Sequence, residues 1–413
     1  MRTRRLAARW LIPVEGPPIE GGALLVAADG RIVAVGPDDT VPHPPDTPAE
    51  KFDDALIVPG LINTHTHLEL TGFEGLVSER EFPAWIRRLR ELKTTRSPAE
   101  YVEASRRGLQ ACFACGVTTI ADTGDSGSVV HALAEAGGSG VAYQEVFGPD
   151  PAQAEESLAG LQAKVDRLRV LSSERVTVGV SPHAAYTVSG NLFRAVARWA
   201  NSEQLPLAVH AAESTAESEF LRQGSGPFAD AWRARGISLP VPRGRTPLQW
   251  LEEHEVLTDR TLCIHAVQLE GQDISRLAQS GAAVAHCPLS NQALGHGHAP
   301  LEELLSRLIG VGLGTDSVVS VGRLDLLAEA RAASGLAPAL TADQLIELCT
   351  LSGARALGLE RQTGSLRPGK WADCTVVRVS GNGRARPADQ VLASRPADVL
   401  RTYLAGKEVY RAQ

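Results

Sequence analysis

Val58-Pro59-Gly60-Leu61-Ile62-Asn63-Thr64-His65-Thr66-His67-Leu68-Glu69 is the stretch from which the rest of the chain can be read. An apolar run from Ala55 to Val58 enters Pro59-Gly60, and a second apolar pair, Leu61-Ile62, leads to His65-Thr66-His67. Residues i and i+2 of a strand share a face, so His65 and His67 are expected to project together from the end of a buried strand. Two imidazoles on one side of a rigid strand end supply half of a metal site. An isolated His-x-His pair also occurs on ordinary surfaces, and what separates the two readings lies downstream.

Beyond this stretch the chain alternates. Short apolar strands are expected at Val117–Ile120, Val141–Val146, Val176–Val180, Leu207–His210, Leu262–His265, Ala282–Ala285 and Val311–Gly314. Helical runs such as Tyr101–Ala114, Glu155–Leu171, Leu192–Asn201 and Leu324–Ser334 fall among them. With the strand before His65 this makes about eight strand–helix units, the count of a (β/α)8 TIM barrel in the α/β class. The segment before residue 58 reads as β-rich, with Ala23–Val26 and Arg31–Val35 flanking the turn Ala28-Asp29-Gly30 and a Pro/Asp-rich loop over Pro37–Pro48. The basic start, Met1 to Arg5, runs into apolar residues up to Ile12. Arg9 interrupts that run and no clean cleavage site follows, so it reads as a first strand and not as a signal peptide. Gly364–Asp373 turns the chain back to strands at Cys374–Val379 and Glu408–Tyr410, after a last helix over Ala342–Leu357. The expected organisation is a small composite β-sandwich from residues 1–58 and 359–413, beside a barrel over residues 59–358. Phe220–Pro247 reads as a lid or a site-lining insertion.

Composition narrows the class. The 413 residues suit one large domain and a lesser one, and a net charge of -7 gives no general attraction to nucleic acid or to an anionic membrane surface. The six cysteines are scattered, which fits reduced thiols and a cytoplasmic protein. Cys112-Phe113-Ala114-Cys115 lacks a second pair and reads as core packing.

The polar residues sit at strand ends, where barrels place their chemistry. The first strand ends in His65 and His67, the fifth in His210-Ala211-Ala212-Glu213, the sixth in His265, and the eighth runs through Gly314-Thr315 into Asp316. Burying several imidazoles and a carboxylate costs several kcal/mol unless something compensates, and a divalent cation does so. Three imidazoles and a carboxylate with an open position suit zinc, and iron equally, since both accept these donors. Glu213, three residues past His210, is placed as a general base near the metal.

Pro59-Gly60-x-x-Asn63-x-His65-x-His67, His210-x-x-Glu213, His265 and Gly314-Thr315-Asp316-Ser317, together with Gly364–Asp373, resemble the amidohydrolase superfamily over nearly the whole chain. The resemblance implies a barrel with a sandwich made from both termini, and a homodimer. Two-metal members carry a lysine on strand four, and Arg175–Val180 has none, which implies a single Zn2+ or Fe2+ per subunit. Ser181-Pro182-His183 and His286-Cys287-Pro288-x-Ser290-Asn291 are similar to the deaminase and chlorohydrolase branch. There His65, His67, His210 and Asp316 would hold the metal, Glu213 would shuttle protons, and His265 and Asp316 would position the attacking water. His183 would contact the ring or the leaving group.

His67-Leu68-Glu69-Leu70 and the following Phe82-x-x-Trp85 most resemble the aminodeoxyfutalosine deaminases of menaquinone synthesis. That implies a carboxylate-bearing adenine nucleoside as substrate, with Glu69, Trp85, Arg88 and His183 in contact with it. Arg87 and Arg90 are alternatives to Arg88, and helical spacing makes packing or solvation equally open for these side chains. Leu289 departs from the family pattern, which commonly has arginine or another polar residue there. His296 and His298 either line the pocket or face solvent. The alternative reactions are deamination of methylthioadenosine, S-adenosylhomocysteine or guanine, dechlorination of a triazine, and hydrolysis of a cyclic amide. A non-catalytic scaffold is disfavoured because every expected ligand is present.

Overall fold

The computed structural model describes residues 2–239, 243–379 and 385–413. Four strands open the chain: β1 (Arg4–Leu11), β2 (Ile19–Val26), β3 (Ile32–Pro37) and β4 (Ala49–Pro59). Eight follow as the barrel: β5 (Leu61–Thr66), β6 (Val117–Gly124), β7 (Gly140–Val146), β8 (Val176–Pro182), β9 (Leu207–Ala211), β10 (Thr261–His265), β11 (Ala283–His286) and β12 (Val311–Leu313). Three close the chain: β13 (Cys374–Arg378), β14 (Val399–Leu404) and β15 (Lys407–Arg411).

β5 to β12 form one eight-stranded sheet in sequence order. Its ladders from β7 to β12 are parallel. The two ends meet through a parallel bridge between Thr66 and Asp316, where the Asp316 N–H donates to the His65 carbonyl at 2.9 Å. All eight expected barrel strands are present, because each is a run of β-branched and small apolar residues bounded by turns. β5 and β6 are buried along their whole length.

The remaining strands form a seven-stranded mixed sheet in the order β15-β14-β13-β4-β1-β2-β3. β1 pairs in parallel with β4, so the N-terminal run is a strand as expected. Leu6, Leu11, Leu24, Ile57, Val376 and Tyr403 pack into one core there. β14 and the first half of β4, Ala49–Asp54, were not expected. Glu50-Lys51-Phe52-Asp53-Asp54 is too polar to read as a strand, and pairing with β1 overrides that composition.

One other expectation changes. The span Ala342–Leu357 is two helices, Ala342–Leu348 and Leu351–Ala356, parted at Cys349 and Thr350. Thr350 turns its hydroxyl back to the Ile346 carbonyl at 2.6 Å and leaves helical geometry. The span Phe220–Pro247 carries a helix, Gly226–Ala234, whose Trp232 indole N–H donates to the Tyr186 carbonyl at 2.8 Å. Residues 240–242 of that span lie outside the described residues. The six cysteines are unbridged, and burial pushes the Cys115 thiol up to about 12, so it is inert as expected of packing. No helix among the described residues is long and apolar enough to cross a membrane.

The chain divides into two compact units. One comprises Met1–Asn63, Leu109–Ile120 and Leu324–Gln413; the other comprises Thr64–Gly108 and Ala121–Arg323. Every site residue discussed below belongs to the second.

Candidate active site

Four imidazoles converge where β5, β9 and β10 end. Ring centroids lie 4.7 Å apart for His65 and His67, 5.1 Å for His65 and His210, and 5.6 Å for both His65–His265 and His210–His265. Asp316 Oδ1 approaches His65 Nε2 at 3.2 Å and His67 Nε2 at 3.4 Å. Two sets, His65–His210–His265 and His65–His67–Asp316, each offer three ligand atoms within 4.8 Å of one another. The structure therefore brings together all four expected metal ligands and His265.

The donor chemistry fits a divalent cation. His210 Nδ1 bonds the His183 carbonyl at 3.3 Å. A carbonyl only accepts, so Nδ1 carries the proton and Nε2 keeps its lone pair. Burial holds His210 well below the ordinary imidazole range and His67 at about 3, with neighbouring imidazoles adding to the effect. Both rings are thus neutral and able to ligate. For Asp316, burial opposes ionisation, but the His65 hydrogen bond and the facing imidazoles override it and hold the carboxyl well below its usual range. Neutral imidazoles around an ionised carboxylate suit zinc or ferrous iron.

The backbone at these ends is held in unusual geometry. Ala212, His265, Ala266 and Asp316 all have left-handed φ, between 51° and 74°. Such conformations cost about 1–3 kcal/mol each in non-glycine residues and persist only where surroundings impose them. Here those surroundings are visible. Ser290 Oγ donates to Asp316 Oδ2 at 2.5 Å. Asp122 Oδ2 accepts from the Thr66 hydroxyl at 2.8 Å and the Leu68 N–H at 2.6 Å, fixing the turn that carries His67. Glu217 accepts from the backbone N–H groups of Ala212 and Glu213.

Glu213 is buried, and its Oε1 lies 3.5 Å from His265 Nε2. His183 is hydrogen-bonded through Nδ1 to Thr187 Oγ1 at 2.8 Å, with its ring 4.7 Å from that of His210. Burial lowers its pKa to about 3, so it is neutral. Glu69, 1% exposed, accepts from Lys93 Nζ at 2.7 Å and from the Ser126 N–H and hydroxyl. Lys93 also reaches Asp125 at 2.5 Å. Burial would raise the Glu69 carboxyl, but the Lys93 charge and these hydrogen bonds hold it well below its usual range. Trp85 is buried with its ring 6.2 Å from Phe82. Arg88 is not drawn into this group: it is half-exposed and pairs with Glu91 at 3.2 Å, one turn along its own helix, while Arg87 and Arg90 are exposed. His296 is buried and His298 exposed.

Sequence reasoning passed over Glu217, Asp122, Lys93 and Glu145. Ser214-x-x-Glu217 has the spacing of a helix-start capping box, a signal that places Glu217 beside the preceding loop. Glu145 lies inside the apolar run of β7, and its Oε1 is 3.9 Å from His210 Nδ1. Nothing local marks it.

Converging imidazoles and a carboxylate at the C-terminal end of a parallel barrel are the arrangement of a metal-dependent hydrolase. The chain belongs to the amidohydrolase family, whose sequence profile matches residues 56–409. It is similar to a Moorella thermoacetica protein named 5-methylthioadenosine/S-adenosylhomocysteine deaminase, 30% identical over 96% of this chain and 91% of that one. It is also similar to a Deinococcus radiodurans protein named aminodeoxyfutalosine deaminase, 31% identical over 87% of this chain and 86% of that one. Among solved structures it shares the fold of a Xanthomonas campestris adenosine deaminase with bound zinc, at a TM-score of 0.85, 24% identity, and coverage of 98% and 92%.

Proposed function

We propose that the protein is a hydrolytic deaminase of an adenine nucleoside, with 6-amino-6-deoxyfutalosine as substrate and futalosine and ammonia as products, a step in menaquinone synthesis. One observation carries the deaminase reading: a buried carboxylate, Glu213, is held 3.5 Å from His265 at the edge of the imidazole cluster, where a proton must be taken from water and returned to substrate.

In this reading His65, His67, His210 and Asp316 hold one divalent cation, zinc or ferrous iron. Bound there, such a cation would lower the pKa of water to about 7. Glu213 takes a proton from the water that adds to the amino-bearing carbon and delivers it to the adjacent ring nitrogen. His265, neutral because burial lowers its pKa, orients that water through its ring. The ionised Asp316 accepts the second water proton and passes it to the departing amine. The carbon–nitrogen bond breaks, ammonia leaves, and a 6-oxopurine remains. His183 and Trp85 face the substrate, while Glu69, buried with its oxygens taken by Lys93 and Ser126, is not free to bind it as expected from the sequence.

The similarity to the Deinococcus radiodurans deaminase supports the substrate. The similarity to the Moorella thermoacetica protein favours a second reading, methylthioadenosine or S-adenosylhomocysteine. Ammonia release from aminodeoxyfutalosine, methylthioadenosine, S-adenosylhomocysteine, adenosine, guanine and a chlorotriazine, with metal content measured alongside, separates them. A clear preference in kcat/KM for aminodeoxyfutalosine is expected. Preference for a sulfur-containing nucleoside would move the substrate assignment, and no ammonia from any compound would end the deaminase reading.

A further inference from the structure

Glu213 faces two imidazoles. Its Oε1 lies 3.5 Å from His265 Nε2 and also 3.5 Å from His296 Nε2. His296 comes from a different element, the loop after the helix Pro288–Ala293, and its side chain and that of Glu213 are each 5% exposed. Its Nε2 is buried and makes no hydrogen bond; the carboxylate oxygen of Glu213, 3.5 Å away, is the charge that faces it.

The loop around His296 is built to hold the ring in this place. Gly295 and Gly297 on either side both adopt left-handed φ, 71° and 95°, which turns the intervening residue inward. The His296 N–H donates to the Asn291 carbonyl at 2.8 Å, and its carbonyl accepts from Gln268 Nε2 at 2.6 Å. The ring stands edge-on to Phe82, centroids 4.5 Å apart at 81°. His298, two residues on, is left in solvent. Backbone anchors on both sides and an aromatic wall thus fix one imidazole against one carboxylate oxygen.

We propose that His296 is a positioning residue for Glu213: together with His265 it clamps Oε1, so that Oε2 is the oxygen that exchanges the proton with water and substrate. The proposal rests on the deaminase reading for its kinetic consequence, but not for the pairing itself. A carboxylate with one oxygen engaged from two sides has lost most of its rotational freedom, and the free oxygen points in one direction. Proton transfer depends steeply on such alignment. Without His296, Glu213 keeps one partner and can swing about it.

The test is a double-mutant cycle with His296→Phe and Glu213→Gln, and with His296→Gln as the conservative variant. Phenylalanine preserves the packing on Phe82 and removes the nitrogen. His296→Phe is expected to lower kcat about 10- to 100-fold, the scale of a misaligned catalytic group, with KM within about twofold. Metal content and melting temperature should match the parent. His296→Gln, whose amide can still donate, should recover part of the loss. In the Glu213→Gln background, His296→Phe should cost nothing further. A rise in KM with kcat unchanged, or the same loss in both backgrounds, would overturn the proposal and make His296 a wall of the substrate pocket.

A second measurement needs no turnover. In protein labelled with 15N-histidine, an exchange-protected Nε2–H resonance of His296 is expected that moves in Glu213→Gln. If it moves while the parent releases no ammonia from any compound, the deaminase reading falls and the pairing stands. If it does not move, the pairing is wrong whatever the enzyme does.

Discussion

Glu217 grips the backbone of Glu213. Its carboxyl group accepts the Glu213 N–H at 2.9 Å and the Ala212 N–H at 3.2 Å, and it is 1% exposed. The two donors bracket the left-handed turn at Ala212, so one side chain at the start of the following helix holds the strained backbone that aims the proposed proton shuttle. Burial pushes the Glu217 carboxyl up to about 8 even so, and the nearby Glu213 charge adds to the rise against the backbone hydrogen bonds.

Glu217→Gln therefore tests positioning without touching the reacting atoms. The amide offers one acceptor oxygen and turns an N–H toward the second donor. We expect kcat to fall about 10- to 100-fold, since small misplacements of catalytic groups carry costs of that order. Metal content should be unchanged. An unaltered kcat would mean that the turn at Ala212 holds without Glu217.

Ser290→Ala addresses the metal end. Ser290 Oγ binds Asp316 Oδ2 at 2.5 Å, while Oδ1 faces His65 and His67. Removing the outer partner of a ligating carboxylate weakens metal affinity about 10- to 100-fold. Competition against a chelator reads this directly, and equal affinity in parent and variant would count against Asp316 as a ligand.

Lys93→Met strips the counter-charge from Glu69. With Glu69 buried and Asp125 beside it, the loss should destabilise by about 3–5 kcal/mol, as removal of one partner from a buried ion pair does. Urea denaturation gives the value. Adding Glu69→Gln should recover much of it, and no recovery would show that the lysine contributes by packing.

Acid should unfold the metal-free protein early. Burial holds His286 and His183 at about 3, against 6.5 for an unperturbed imidazole. Between those values the unfolded chain binds protons that the folded one refuses, so stability falls as pH drops from about 6.5 toward 3. Each such ring contributes up to about 1.4 kcal/mol per pH unit across that window. His286 is fully buried and its ring nitrogens make no hydrogen bond. His286→Leu should flatten the slope of unfolding free energy against pH by about one proton; an unchanged slope would mean the ring is protonated in the folded state.

The barrel and the cluster were legible because each residue of the cluster ends or follows an apolar run. His65, His210 and His265 close strands of buried residues, and Asp316 follows one. A strand end is a local pattern, and so is the three-residue offset from His210 to Glu213. What holds those groups was not legible, because it comes from distant partners. Lys93 meets Glu69 from 24 residues away and Ser290 meets Asp316 from 26. Arg88 illustrates the opposite case: its spacing allowed a substrate contact, but an i+3 carboxylate, Glu91, takes the guanidinium. Ala49–Asp54 joins a sheet only because β1 lies alongside it, and no local propensity records that.

The central claim is that Glu213 moves protons in a hydrolytic deamination at this cluster. The most direct measurement is turnover of aminodeoxyfutalosine in 18O-water by zinc-loaded parent and Glu213→Gln, following ammonia and the oxygen label together. The account predicts one labelled oxygen in the 6-oxopurine per ammonia from the parent, and a loss of about 100-fold or more in kcat for the variant with its metal retained. Normal deamination by metal-replete Glu213→Gln would contradict it.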